Sequence, residues 1–167
     1  ININFKGGGK GDPLLLLHGY PQSHMLWRKM APLFAENYTV ICTDLRGYGD
    51  SDKPKSDKKH DTYSKKNMAA DQNEVMQKLG YDKYFLVGHD RGARVAPRMA
   101  IDYQDSIKKI SVFTPYPETV NKSVFEYFSQ EKIEISSFSS FNLDSDIDIG
   151  KIDPNYFDPL SPSKAEF

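Results

Sequence analysis

One pentapeptide, Gly88-His89-Asp90-Arg91-Gly92, has the residue types and spacing for covalent chemistry. An apolar run at residues 84–87 leads into it, and a helix-like segment follows. A sharp strand-to-helix turn lifts its central side chain into the open. The partial positive charge and free N–H groups at the start of the helix favour an ionised carboxylate there. A carboxylate so placed can attack an electrophilic carbon and hold it as an ester. Neighbouring backbone crowds such a turn, so Gly88 and Gly92 leave the space that a Cβ would take. The plainer alternative is an Asp90 that only caps a helix after a strand.

Two further residues belong with Asp90. Arg91 and Arg94 are three apart at the start of the helix and so share a face. Their guanidinium groups can hold a carboxylate by charge-assisted, bidentate hydrogen bonds. A solvated helix face or a structural ion pair is the alternative. The other polar residues read more blandly: His24 and His60 as exposed, His89 as turned away from Asp90, and Asp50 and Asp52 as turn formers. None has metal-ligand spacing, and no cofactor is expected. The glycines and lysines of residues 6–12 do not make a phosphate loop, because a strand follows them instead of a helix. They are expected to turn the chain between the strands on either side.

These residues must be positioned by a regular scaffold. Residues 13–17 form an unbroken apolar run, as in a strand buried on both faces. Strands are expected also at 1–5, 38–43, 84–87 and 107–113. Ser23 caps a helix through Phe34, another spans residues 64–79 and stops at Gly80, and a third spans 91–103 with a kink at Pro97. Alternating strands and helices predict an α/β fold with a mostly parallel sheet and helices on both faces. In such sheets chemistry collects at the carboxyl ends of the strands. His18-Gly19-Tyr20, Asp44-Leu45-Arg46, Asp90-Arg91 and Thr114 all fall there.

The 167 residues suit one domain, and a net charge of −1 gives no electrostatic basis for binding nucleic acid or an anionic membrane. The single cysteine, Cys42, precludes an intramolecular disulfide and reads as a buried spacer. No apolar stretch reaches membrane-spanning length and no leader is evident, so a cytoplasmic protein is expected.

His18-Gly19-Tyr20-Pro21, the run from Asp44 to Ser51, and Gly88-His89-Asp90-Arg91-Gly92-Ala93-Arg94, in that order, resemble the α/β-hydrolase fold. Within it they are similar to the Asp-nucleophile branch of haloacetate (fluoroacetate) dehalogenases and epoxide hydrolases. Arg directly after the nucleophile and again three residues later is the dehalogenase pattern. Epoxide hydrolases and haloalkane dehalogenases usually carry Trp directly after the nucleophile. The resemblance implies Asp90 as nucleophile, Arg91 and Arg94 as clamp for the substrate carboxylate, and backbone N–H groups of Tyr20 and Arg91 as oxyanion donors. It implies His18 as a turn-stabilising residue.

The resemblance covers residues 1–113, and the remainder departs from it. The family's catalytic histidine lies near the C-terminus, whereas no histidine follows His89. Its acid partner belongs where Thr114 stands, and the cap residues that bind halide have no match after 114. Residues 1–114 are therefore expected to form the N-terminal part of the core. Residues 115–167 read as a divergent tail of one short helix and irregular chain, with cap and last strands missing or replaced. An uncovered strand at 109–113 would invite self-association. The first half reaction has its residues, and the second does not. An epoxide hydrolase-like enzyme using Tyr116, Tyr127 or Tyr156, and an inactive carboxylate-binding or fragment protein, remain alternatives.

Overall fold

The computed structural model describes residues 1–113 and 135–137. Six strands form one sheet in the order β1-β3-β2-β4-β5-β6. They are β1 (Phe5–Gly9), β2 (Asp12–Leu17), β3 (Tyr38–Thr43), β4 (Tyr84–His89), β5 (Ile107–Phe113) and β6 (Ile135–Ser137). Only β1 runs antiparallel to its neighbour; β2, β3, β4, β5 and β6 are parallel. Helices α1 (Ala31–Phe34), α2 (Lys65–Lys78) and α3 (Arg91–Asp102) flank the sheet.

The four leucines of β2 explain the layering. Leu15 and Leu17 join one core cluster with Met68 and Met76 of α2 and Val95 and Met99 of α3. Leu14 and Leu16 join the other, with Trp27, Ala31 and Ala35. Successive residues of a strand face opposite sides, so an unbroken apolar run is what a strand covered on both faces requires.

Ser64 caps α2, its Oγ accepting from the N–H of Asn67 at 3.2 Å, and Gly80 follows the helix at φ +80°. Helix α3 continues through the buried Pro97. The segment after Ser23 is shorter than the expected helix: a 3-10 turn, His24–Lys29, precedes the four residues of α1. Pro32 suits the first turn of α1, where its missing N–H has no helical partner to lose.

The first strand departs from expectation. β1 begins at Phe5 and continues through the glycines, and it pairs with β3, not β2. The glycines are strand residues because β3 approaches closely: a Cβ on Gly7 would lie 2.9 Å from the carbonyl oxygen of Val40. A two-residue connection to β2 remains, but it is not a hairpin.

The far edge is also corrected. β6 pairs in parallel with β5 over Ile110–Val112, so the strand expected to lie open has a neighbour along its middle. The division at 114, the short helix after it, Thr114 and the three tail tyrosines lie outside the described residues. Among the described residues, no helix is long and apolar enough to cross a membrane, and no cluster of three or more potential ligands could hold a metal.

Candidate active site

From β2 the chain first moves to β3 on one side, then crosses back to β4 on the other. The carboxyl ends of β2 and β4 thus flank the point where strand order reverses, the usual crevice of an open α/β sheet. Leu17 is in register with Gly88, which brings His18-Gly19-Tyr20 beside the elbow.

Asp90 occupies the elbow with φ +46° and ψ −101°, a conformation rare for a residue with a side chain. The surroundings hold it there. Its N–H donates to the carbonyl of Phe113 at 2.8 Å, and the N–H of Gly92 donates to the carbonyl of His18 at 2.9 Å. The flanking glycines are required by contact. A Cβ on Gly88 would lie 2.5 Å from the carbonyl oxygen of Gly92, and one on Gly92 would lie 2.7 Å from Cβ of Leu17. Gly19 is equally constrained, since its Cβ would come within 2.7 Å of Cβ of Asp90.

The N–H of Tyr20 donates to Oδ2 of Asp90 at 2.7 Å. Arg91 lies at the start of α3 with its guanidinium carbon 5.8 Å from the centroid of the Tyr20 ring. Its backbone N–H makes no capping bond to the Asp90 side chain. Of the two backbone donors expected around Asp90, Tyr20 touches the carboxylate and Arg91 does not. Arg94 is exposed on the next turn. Neither arginine forms an ion pair with an acid among the described residues.

A third cation stands at the same edge of the sheet. Lys65, first residue of α2, is half-buried. Burial pulls its ammonium below the ordinary lysine range, Arg91 and Arg94 push it the same way, and Asp90 opposes them. In the sequence Lys65 is one polar residue at the start of a helix, with nothing local to single it out. The signal was present in the alternation of elements, since a helix leading into a parallel strand starts at the carboxyl edge of the sheet.

Other polar groups at this edge serve the scaffold. Asp44 is fully buried, and Oδ1 accepts from the backbone N–H of His24 at 2.6 Å and from Nδ1 of His24 at 2.9 Å. Oδ2 accepts from Asn4 and from the N–H of Asp50. Burial raises the Asp44 pKa, but these hydrogen bonds outweigh it and hold the carboxyl below its usual range. His24 is therefore buried against Asp44, not exposed as expected. Arg46 grips both carboxylate oxygens of Asp71 and the carbonyl of Thr62, which removes it from the site.

His18 is a strut, as the resemblance implied. Its Nδ1–H donates to the carbonyl of Gly19 at 2.7 Å and its Nε2 accepts from the N–H of Leu45 at 3.0 Å. Burial lowers its pKa, favouring this neutral tautomer. His89 is partly buried, and Nδ1 has no hydrogen-bond partner among the described residues. His60 is exposed in the loop before α2. Asp52 accepts from the N–H of Asn2. The Cys42 thiol is buried in β3, and burial pushes its pKa up.

Residues 12–142 match the family described by the alpha/beta hydrolase fold. A fluoroacetate dehalogenase from Burkholderia sp is 49% identical over 120 residues, which are 72% of this chain and 40% of that enzyme. A soluble epoxide hydrolase from Corynebacterium sp. (strain C12) is 42% identical over 115 residues, 69% of this chain and 38% of that one. A crystal structure of an α/β hydrolase from Nostoc sp PCC 7120 superposes with a TM-score of 0.67 at 50% identity, covering 77% of this chain and 46% of that one. The chain thus spans about two fifths of the length of the curated relatives it matches.

Proposed function

The chain belongs to the α/β-hydrolase family, and from that premise we propose that it is an Asp-nucleophile hydrolase whose substrates are haloacetate-like carboxylates. The observation that carries this reading is the Asp90 carboxylate, raised on a strained elbow with one oxygen held by the N–H of Tyr20 and two arginines on the following helix. Arg91 and Arg94 bind the substrate carboxylate, turning the halogen-bearing carbon toward Asp90. The free oxygen, Oδ1, attacks that carbon. A C–O bond forms, the carbon–halogen bond breaks, and its electron pair leaves with the halide.

The second half reaction requires water to attack Cγ of the ester. Negative charge then collects on Oδ2, where the Tyr20 N–H already points. A base must deprotonate this water. Among the described histidines, His18 and His24 are committed to structural bonds, His60 is exposed in the loop before α2, and His89, with its unpartnered Nδ1, precedes Asp90 in the strand, where alternation turns it away from the substrate side. The proposed activity of this chain is therefore one round of alkylation, ending at the ester. A cytoplasmic setting is part of the proposal, in keeping with the single buried thiol of Cys42.

Intact-protein mass after incubation with chloroacetate tests this reading, with Asp90→Asn alongside. One covalent adduct per chain, absent from the variant, supports it; halide release well beyond one equivalent overturns the single-round reading. The similarity to epoxide hydrolases sustains a second reading, in which the same carboxylate opens an epoxide. Diol formation with no reaction on haloacetates would favour that reading.

A further inference from the structure

Two arginines of this chain are fixed through their N–H groups. Arg46 spends its donors on Asp71 and on the carbonyls of Thr62 and Asn67, and Arg98 grips both carboxylate oxygens of Asp102. Donors committed in this way are lost to a ligand. Arg91 is held differently. Among the described residues no acid pairs with it, and its guanidinium carbon lies over the ring of Tyr20, 5.8 Å from the centroid. A cation within about 6 Å of an aromatic face is attracted by the ring's quadrupole. Contact through the face positions a guanidinium while the N–H donors in its plane stay available.

Tyr20 is itself fixed from several directions. Its backbone N–H donates to Oδ2 of Asp90. The turn that carries it is closed by the N–H of Gln22, which donates to the carbonyl of Gly19 at 3.1 Å, and by the N–H of Gly19, which donates to Oε1 of Gln22 at 3.2 Å. Its ring meets that of Tyr48 edge-on, with centroids 6.5 Å apart and planes at 84°. Tyr48 meets the fully buried His18 in the same manner at 5.2 Å. Edge-to-face pairs of this kind are attractive. A line of ring contacts thus runs from the strut at the end of β2, through Tyr48 and Tyr20, to Arg91. The Tyr20 side chain is nevertheless 63% exposed, so the core takes little from it.

We propose that the ring of Tyr20 is a positioning residue for the substrate carboxylate: it carries Arg91 on its face and so presents free guanidinium N–H groups to the acid. This rests on the reading of Asp90 as nucleophile and of Arg91 as part of a carboxylate clamp. The backbone of Tyr20 holds the attacking group and its ring holds the clamp, so one residue sets both in a common frame. The ring touches no reacting atom. Its effect is confined to ligands with a carboxylate, and a neutral isostere such as chloroacetamide gains nothing from it.

The test separates binding from reaction. Affinity for the unreactive acid acetate is read by NMR titration on the parent, Tyr20→Leu, Tyr20→Phe, Arg91→Met and the double variant Tyr20→Leu, Arg91→Met. All of these keep the backbone N–H at position 20. Tyr20→Leu should weaken acetate about two- to fivefold, the range of cation–π attraction at an exposed site. Tyr20→Phe keeps the ring and should recover most of that loss. In the Arg91→Met background Tyr20→Leu should cost nothing more. Parental affinity in Tyr20→Leu overturns the proposal, as does a loss of the same size with or without Arg91. Alkylation rates with chloroacetate and chloroacetamide, followed by intact mass, then distinguish the two readings. Tyr20→Leu should slow chloroacetate by the same factor and leave chloroacetamide unchanged; equal slowing of both overturns the proposal and keeps the nucleophile. An acetate affinity that follows Tyr20 and Arg91, without any adduct, removes the nucleophile and keeps the positioning role.

Discussion

The backbone N–H of Tyr20 lies 2.7 Å from Oδ2 of Asp90, although 70 positions separate the two residues. The contact makes the carboxylate oxygens inequivalent. Oδ2 is held; in the proposed reaction it becomes the carbonyl oxygen of the ester, and Oδ1 makes the attack. No side chain is needed for this distinction, only the pairing of β2 with β4 and the lack of a side chain at Gly19.

Gly19→Ala should therefore damage the site more than the fold. The added methyl would lie 2.7 Å from Cβ of Asp90 and 2.8 Å from Nδ1 of His89, and one of them must shift. Overpacking of this kind costs about 1–3 kcal/mol. The expected outcome is a folded protein with a lowered melting temperature and a haloacetate alkylation rate reduced at least tenfold, read by intact mass against time.

The strain at Asp90 can be isolated by comparing two variants without a carboxylate. At φ +46° glycine is unhindered, whereas alanine keeps the conflict between Cβ and backbone. Asp90→Gly is expected to be more stable than Asp90→Ala by about 1–3 kcal/mol in denaturant melts. Equal stability of the two would mean that the elbow is not strained.

Arg46→Met should unfold the chain more readily without bearing on charge at the site. It strands the Asp71 carboxylate and leaves the carbonyl of Thr62 without its donor. Breaking a buried pair by removing one partner costs about 3–5 kcal/mol. Chemical denaturation of Arg46→Met beside Asp71→Asn, Arg46→Met measures it, the double variant recovering part of the loss.

Acid should act through His18. Burial holds its folded pKa below the usual 6.5, so between those two values the unfolded chain binds the extra proton and the folded chain does not. Stability then rises with pH through this window and falls as pH drops below about 6.5. The depressed carboxyl of Asp44 adds a second loss at lower pH, below its unfolded value of 3.8. Melting temperatures measured from pH 7 downward should decline first over the histidine range. A flat profile there would contradict the neutral, doubly bonded His18.

The elbow was legible because its constraint is local: two glycines flanking an acid, after an apolar run and before a helix. The leucine run of β2 was legible for a similar reason, since one strand buried on both faces leaves no alternation. What depended on distant partners was missed. The glycines after Phe5 looked like a turn until the close approach of β3 gave them a strand's surroundings. His24 looked exposed because its partner, Asp44, lies 20 positions away. Lys65 looked like one more lysine in a polar stretch, and only the packing of α2 on α3 brings it to the edge of the sheet where Asp90 stands.

The bonds that suspend Asp90 also make it a witness to folding. Its own amide is tied to β5, the amide of Gly92 to the end of β2, and its carboxylate to Tyr20, while β3 and α2 intervene in the chain between β2 and β4. Local contacts can form early in folding, but these wait for closure of a long loop. Amide exchange at Asp90 and Gly92 should accordingly track opening of the central sheet instead of loop fluctuation. A chain whose Asp90 reacts selectively is one that has already completed that closure.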